Sequence, residues 1–186
     1  MTKTDIESRL ECCPIIAAVQ NARFSSALSS PAEVIFNLKA SLLTVKEQIK
    51  AAHDADKAVF IHLDLADGIG KDKTGIEFLA ACGVDGIIST RGQLIRAAKE
   101  QGLLTVQRFF ALDSQGVDGI AEQLRTVSPD FIEIMPGVIG KTVARFASGD
   151  IPVIAGGLIE TKAEVTDVLG HGAIAVSTGK KELWYV

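Results

Sequence analysis

Short apolar runs alternate with helix-length amphipathic stretches eight times along this chain, and that alternation restricts the fold more than any other feature. The runs are Pro14–Val19, Glu33–Lys39, Ala58–Leu65, Val84–Thr90, Leu103–Leu112, Asp130–Met135, Ile151–Ala155 and Ala173–Val176. Strands separated by helices pair in parallel, and right-handed crossovers either wind such a sheet open or close it into a barrel. The helices between them read as Leu42–His53, Thr74–Ala81 with Thr74 as cap and Gly83 as stop, Gly92–Gln101, Val117–Val127, Ile139–Ala147, and a last one capped by Thr161 with Glu164 as its capping-box partner. Gly170 or Gly172 ends that last helix. Residues 5–13 read as a lead-in helix, and Gln20–Ser30 as either a short irregular helix or a loop.

The seventh and eighth runs decide between barrel and open sheet. Gly156-Gly157 follows the seventh, and Ser177-Thr178-Gly179 follows the eighth. If the strands are parallel, both loops lie on one rim. Clustered backbone N–H groups there favour an anion, and a (β/α)8 barrel commonly holds phosphate after its last two strands. One such loop alone would read as a tight turn; two adjacent ones favour phosphate, at Gly156, Gly157, Ser177, Thr178 and Gly179. An open doubly wound sheet carries its glycine-rich loop after the first strand, and here that loop is QNARFSS, without glycine. The expectation is one α/β domain over residues 1–186, a single (β/α)8 TIM-like barrel. At 186 residues it is shorter than the roughly 250 usual for that fold, so its loops must be short.

Sites on parallel α/β folds sit at the carboxyl ends of strands. The polar residues placed there are Lys39, His62, Asp64, Arg91, Arg108 and Glu133. Alternation along the third strand puts Phe60, His62 and Asp64 on one face. Asp64 can bind hydroxyls or act as a base; alternatively it holds a neighbouring lysine or the following loop. His62, one pleat deeper, reads as a hydrogen-bonded core residue. Glu133 shares a face with Phe131 and Met135 and needs a partner if buried. Lys39 and Arg108 are the available cations, so Glu133 belongs either to a site or to an ion pair. Lys71, Lys73, Lys180 and Lys181 read as solvated charges, and Cys12-Cys13 as packing. No cluster has metal-ligand spacing, and no cofactor motif is present.

No apolar run is long enough to span a membrane, and MTKTDIESRLECCP lacks a signal peptide's apolar segment. Three cysteines, two of them adjacent, suit a reducing cytoplasm. A net charge of −4 argues against a broad basic nucleic-acid footprint but allows a local patch. The tail Leu183-Trp184-Tyr185-Val186 reads as a homodimer contact or as a plug for the barrel base.

Taken together, HLDLADGIGKDKTGIEFLA, GVDGIISTRGQLIRAAKEQGLLTVQRFFALDS, FIEIMPGVIGK, IPVIAGGLI and AIAVSTGKKELW resemble the glycerol uptake operon antiterminator regulatory proteins, from about Pro14 to Trp184. The resemblance implies a bacterial regulator on a (β/α)8-like barrel that senses glycerol 3-phosphate and, when liganded, binds leader mRNA of glycerol-utilisation genes and prevents early termination. The family carries an asparagine after a Ser-Thr-Ser-type turn, where this chain has Gly179-Lys180. Phosphate contact by backbone N–H tolerates that change; a side-chain contact would be lost. On this reading the glycine loops hold the phosphate, Asp64 and Glu133 receive the hydroxyls, and Arg108 or Lys39 adds positive charge. RNA contact falls to exposed cations such as Lys71, Lys73 and Arg91. Aromatics are only 5% of the chain, few for a reader of single-stranded RNA, so the RNA expectation rests on the resemblance. The alternative is an enzyme on a phosphorylated triose or sugar, an isomerase or aldolase, for which Lys39, Asp64 and Glu133 would also serve.

Overall fold

Eight parallel strands close on themselves in the computed structural model, which describes residues 1–111 and 114–186. The strands are β1 (Ile15–Gln20), β2 (Val34–Lys39), β3 (Ala58–His62), β4 (Gly86–Ser89), β5 (Leu104–Phe110), β6 (Phe131–Met135), β7 (Val153–Gly156) and β8 (Ala175–Thr178). Each pairs with the next in sequence, and β8 pairs with β1 through Ile16 opposite Ser177. The helices are α1 (Lys3–Cys12), α2 (Phe24–Leu28), α3 (Val45–Asp54), α4 (Lys73–Ala81), α5 (Gly92–Glu100), α6 (Ser114–Val127), α7 (Gly140–Ala147) and α8 (Lys162–Gly170). This is the TIM-like barrel that the alternation implies, not the open sheet.

Strands covered on both faces explain the apolar runs. One face of each strand joins an outer layer with the helices, where Ile35, Ile61, Ile87 and Ile132 meet Ile49, Leu79, Leu94 and Val143. The other face fills the barrel with Ile16, Phe36, Phe60, Ile88, Val106, Phe131 and Ile154. Space inside is tight. A Cβ on Gly86 would lie 2.2 Å from the Phe60 ring, so β4 gives up a side chain to make room for the Phe36–Phe60 pair, whose centroids are 5.6 Å apart.

The floor of the barrel is α1. Its capping box, Thr2 with Asp5, starts the helix, and Ile6 and Leu10, one turn apart, enter the interior cluster. This corrects the expectation that the C-terminal tail might be the plug. Leu183 and Trp184 instead pack in the outer layer, where the Trp184 indole Nε1 donates to the Thr178 carbonyl at 2.8 Å.

Several boundaries move for identifiable reasons. Strand β3 stops at His62, and Leu63–Leu65 form a 3₁₀ turn, so Asp64 leaves the face that carries Phe60. Helix α4 is capped by Asp72, whose carboxylate accepts from Gly75 N–H at 2.9 Å, and not by Thr74. Helix α3 begins at Val45 because residues 41–44 form a turn tied to the loop after β3, with Leu42 N–H donating to the Asp67 carbonyl. Gln20–Ser30 holds a 3₁₀ turn, Asn21–Arg23, followed by α2. Strand β8 starts two residues late and includes Ser177 and Thr178, because pairing to β1 runs on to Ala17 opposite Thr178. Leu112, expected to end the fifth strand, lies outside the described residues.

Truncating the floor tests this packing. Leu10→Ala should lower the unfolding free energy by about 3 kcal/mol, the usual loss for a buried leucine, read from urea denaturation. A loss below about 1 kcal/mol would mean that α1 is not part of the core.

Candidate functional site

Arg108 and Glu133 are register partners on β5 and β6 and point into the barrel at its carboxyl end. Glu133 is fully buried. Arg108 Nε donates to Glu133 Oε2 at 2.5 Å, and the Ser177 hydroxyl, from β8, donates to Glu133 Oε1. That second bond crosses β7, and it passes because residue 156 has no side chain. A Cβ on Gly156 would sit 2.5 Å from Glu133 Oε1 and 2.7 Å from Ser177 Oγ. Of the two cations that sequence reasoning offered Glu133, the structure takes Arg108. Lys39 lies exposed at the rim, 3.9 Å from Asp67.

Above this cluster is a cleft of about 370 Å³, lined by Arg108, Glu133, Gly157, Leu158, Thr178, Gly179 and Lys180 among others. The two expected loops therefore converge on one space. Gly157 (φ +75°) and Leu158 (φ +60°) are both left-handed, and the carbonyls of Gly156 and Gly157 accept from Gly137 N–H. Thr178 Oγ1 donates to the Ile159 carbonyl and accepts from Lys180 N–H, both at 3.1 Å, which ties the loop after β7 to the loop after β8. Among the described residues the N–H groups of Gly157, Leu158 and Gly179 have no acceptor, and Arg108 uses only Nε. Such an array of unpaired donors beside two cations suits an anion. Glu160, also in the lining, keeps one wall acidic.

Asp64 lies outside the lining. Its carboxylate accepts from Thr90 N–H at 2.7 Å, from the Ser89 and Thr90 hydroxyls at 3.0 Å, and from Arg91 Nε at 2.9 Å. Burial alone would raise its pKa, but the bonds from Thr90, Arg91 and Ser89 outweigh that and hold it below the usual carboxylate value. The structure thus gives Asp64 the role of clamping the turn after β4. Of the expected RNA-facing cations, two are held within the fold and the third stays exposed beside an acid. Arg91 is held by Asp64, Lys71 Nζ donates to the carbonyls of Ala66 and Ile69, and Lys73 lies 4.0 Å from Glu77.

His62 is buried in the barrel, and its Nδ1 has no partner among the described residues. The hydrogen-bonded core histidine expected from sequence is therefore only half right. Burial, followed by the nearby Arg108 charge, lowers its pKa to about 4, so the ring is neutral at pH 7. Among the described residues no three His, Cys, Asp or Glu side chains gather as a metal site requires, and no helix is long and apolar enough to cross a membrane.

Sequence reasoning missed Leu158 and read Lys180 only as a solvated charge; Lys180 is exposed and also lines the cleft. A left-handed leucine leaves no signature in sequence. Lys180, adjoining the STG turn, had one.

Comparison with known proteins gives the family and repeats the fold. The family model described as glycerol-3-phosphate responsive antiterminator matches residues 15–184. An Escherichia coli (strain K12) protein, "Uncharacterized protein YgcP", is 34% identical over 175 residues, spanning 92% of this chain and 91% of its own length. The crystal structure of the glycerol uptake operon antiterminator regulatory protein from Listeria monocytogenes superposes with a TM-score of 0.87 at 38% identity, over 92% of this chain and 95% of that one. A glycerol uptake operon antiterminator-related protein from Thermotoga maritima gives 0.82 at 35% identity, over 91% and 96%. The chain belongs to the glycerol-3-phosphate responsive antiterminator family.

The buried histidine makes stability depend on pH. A folded pKa near 4 against an unfolded value near 6.5 means that the unfolded chain binds the extra proton between those values. Stability is complete above about pH 6.5 and falls as the pH drops towards 4, by on the order of 3 kcal/mol in total. Urea midpoints measured from pH 7 to 4.5 should fall more steeply for the natural chain than for His62→Gln. Parallel curves would show that His62 titrates normally.

Proposed function

We propose that the cleft between the loops after β7 and β8 binds glycerol 3-phosphate, and that the liganded protein acts as a transcription antiterminator on leader mRNA of glycerol-utilisation genes. The observation that carries the first half is the convergence of Gly157 with Thr178, Gly179 and Lys180 on one cleft floored by Arg108 and Glu133. The phosphate lies against the N–H groups of Gly157, Leu158 and Gly179, with Arg108 and Lys180 balancing its charge. Glu133 and the Ser177 hydroxyl, at the bottom, receive the glycerol hydroxyls. Lys39 and Asp64, offered as ligand contacts by the sequence, act from outside, Lys39 at the rim and Asp64 by fixing the turn after β4. Backbone recognition explains how the cleft tolerates Gly179-Lys180 where the family has asparagine.

The regulatory half is supported by the family and by the names of the Listeria and Thermotoga proteins. It also places the protein in the cytoplasm with its mRNA. Catalysis on a phosphorylated triose is the weaker reading. Glu133, a carboxylate of the cleft lining, is already committed to holding Arg108 and Ser177. An imine-forming enzyme needs a desolvated lysine at its site; Lys57, the buried lysine among the described residues, donates to the Ser30 and Ala32 carbonyls outside the cleft lining, and Lys180, in the lining, is exposed.

Titration calorimetry should show saturable binding of glycerol 3-phosphate and none of glycerol at the same concentration. Arg108→Lys keeps a cation against Glu133 but removes the planar fork; it should weaken binding about tenfold, roughly one charge-assisted hydrogen bond, with the fold intact by circular dichroism. No saturable binding at millimolar ligand would overturn the proposal, as would equal affinity for glycerol.

A further inference from the structure

A second cleft adjoins the first and shares a wall with it. It encloses about 460 Å³ and is lined by Arg23, Ser26, Gly179, Lys180, Lys181 and Glu182. Gly179 and Lys180 line both clefts, so a single turn of backbone has the proposed ligand on one side and this cleft on the other. The outer side is polar. Arg23 Nη1 donates to the Gly179 carbonyl at 3.2 Å, and Lys181 Nζ lies 3.4 Å from the Ser26 hydroxyl. Arg23, Lys180 and Lys181 are exposed, and among the described residues none of them forms an ion pair. Three uncompensated cations against one acid, Glu182, make a local positive strip on a chain whose net charge is −4. Tyr185, in the same 3₁₀ turn as Lys181, is also exposed and offers a ring on which a base can stack.

We infer that this strip, Arg23 with Lys180 and Lys181, is where the RNA phosphate backbone docks, and that the turn it shares with the ligand cleft is the coupling between ligand and RNA. The inference rests on the functional reading above and adds to it a surface and a route. When the inner anion engages Gly179 N–H, the peptide groups of that turn become fixed. The Gly179 carbonyl, on the outer side, is what positions Arg23. Ordering the turn from within therefore orders the cations outside, so ligand and RNA each favour the same backbone arrangement and strengthen each other's binding. Of the cations expected from sequence, Arg91 is paired with Asp64, Lys71 is tied to backbone carbonyls and Lys73 lies beside Glu77, whereas Arg23 and Lys181 bond only to neutral groups.

The test uses the full chain, a fluorescein-labelled leader-RNA hairpin, and glycerol 3-phosphate. The double variant Arg23→Ala, Lys181→Ala keeps every side chain of the inner lining but frees the Gly179 carbonyl. It should still bind glycerol 3-phosphate saturably by calorimetry, which also shows that it folds, with affinity lowered less than its RNA affinity. Its RNA affinity by anisotropy should fall at least tenfold, with the slope of log K against log salt shallower by about 1.4, the loss of two phosphate contacts on a single strand. The control Lys50→Ala, Lys99→Ala makes the same charge change on α3 and α5, at residues that line neither cleft, and should leave RNA affinity unchanged. If the natural chain binds the hairpin in a ligand-dependent way and the double variant binds equally well, the strip is not the surface and the inference falls alone. If the two double variants lose affinity equally, the effect is net charge and the inference also falls. If the natural chain binds no RNA at saturating glycerol 3-phosphate, the regulatory reading fails and takes the inference with it.

Discussion

A carboxylate with no exposure to water must be compensated, and at Glu133 that requirement organises the open end of the barrel. Removing one member of such a buried pair leaves an uncompensated charge, at about 3–5 kcal/mol. Arg108 is therefore fixed on the neighbouring strand and Ser177 two strands away, and the strand between them must carry a glycine. The identity of residues on four consecutive strands follows from one buried charge. The same arrangement makes the cluster useful. Its hydrogen-bonding groups are already aligned, and among the described residues the Nη edge of the arginine has no partner.

Much of the fold was legible because closed parallel barrels reduce to a one-dimensional pattern. Eight apolar runs with helices between them leave few topologies, and the glycine loops on the last two runs select among those. Boundaries were less legible, for physical reasons that differ from place to place. His62, Leu63, Asp64 and Leu65 read as continuous strand because apolar and polar residues alternate there, yet the chain turns into a 3₁₀ bend after His62 so that Asp64 can reach the turn after β4. Asp72 rather than Thr74 caps α4 because the preceding loop brings an acid to the first free N–H, and both residue types are good caps. The role of α1 was hidden in two residues, Ile6 and Leu10, within a mostly charged segment.

The candidate site was legible in part. Glycines and small hydroxyl residues announce a backbone-lined cleft, and those positions do converge. Which charge pairs with which was not legible, since Lys39 and Arg108 are equally placed in sequence and only the register of β5 against β6 decides. Nor does the sequence tell an acid that waits for a ligand from one already saturated by its neighbours. Asp64 sits at a strand end like a functional residue, and the four donors around it hold it as a brace for the turn after β4. The free donors belong to backbone, whose availability depends on where neighbouring carbonyls are already tied.

The barrel joins its first strand to its last, with Ile16 beside Ser177. The cleft residues Ser177 and Thr178 thus depend on a pairing between strands far apart in sequence. Contacts of such separation are slow to form, and until β8 has joined β1 the cleft lacks a sealed wall. The cleft is therefore a property of the closed barrel and of no smaller part of it.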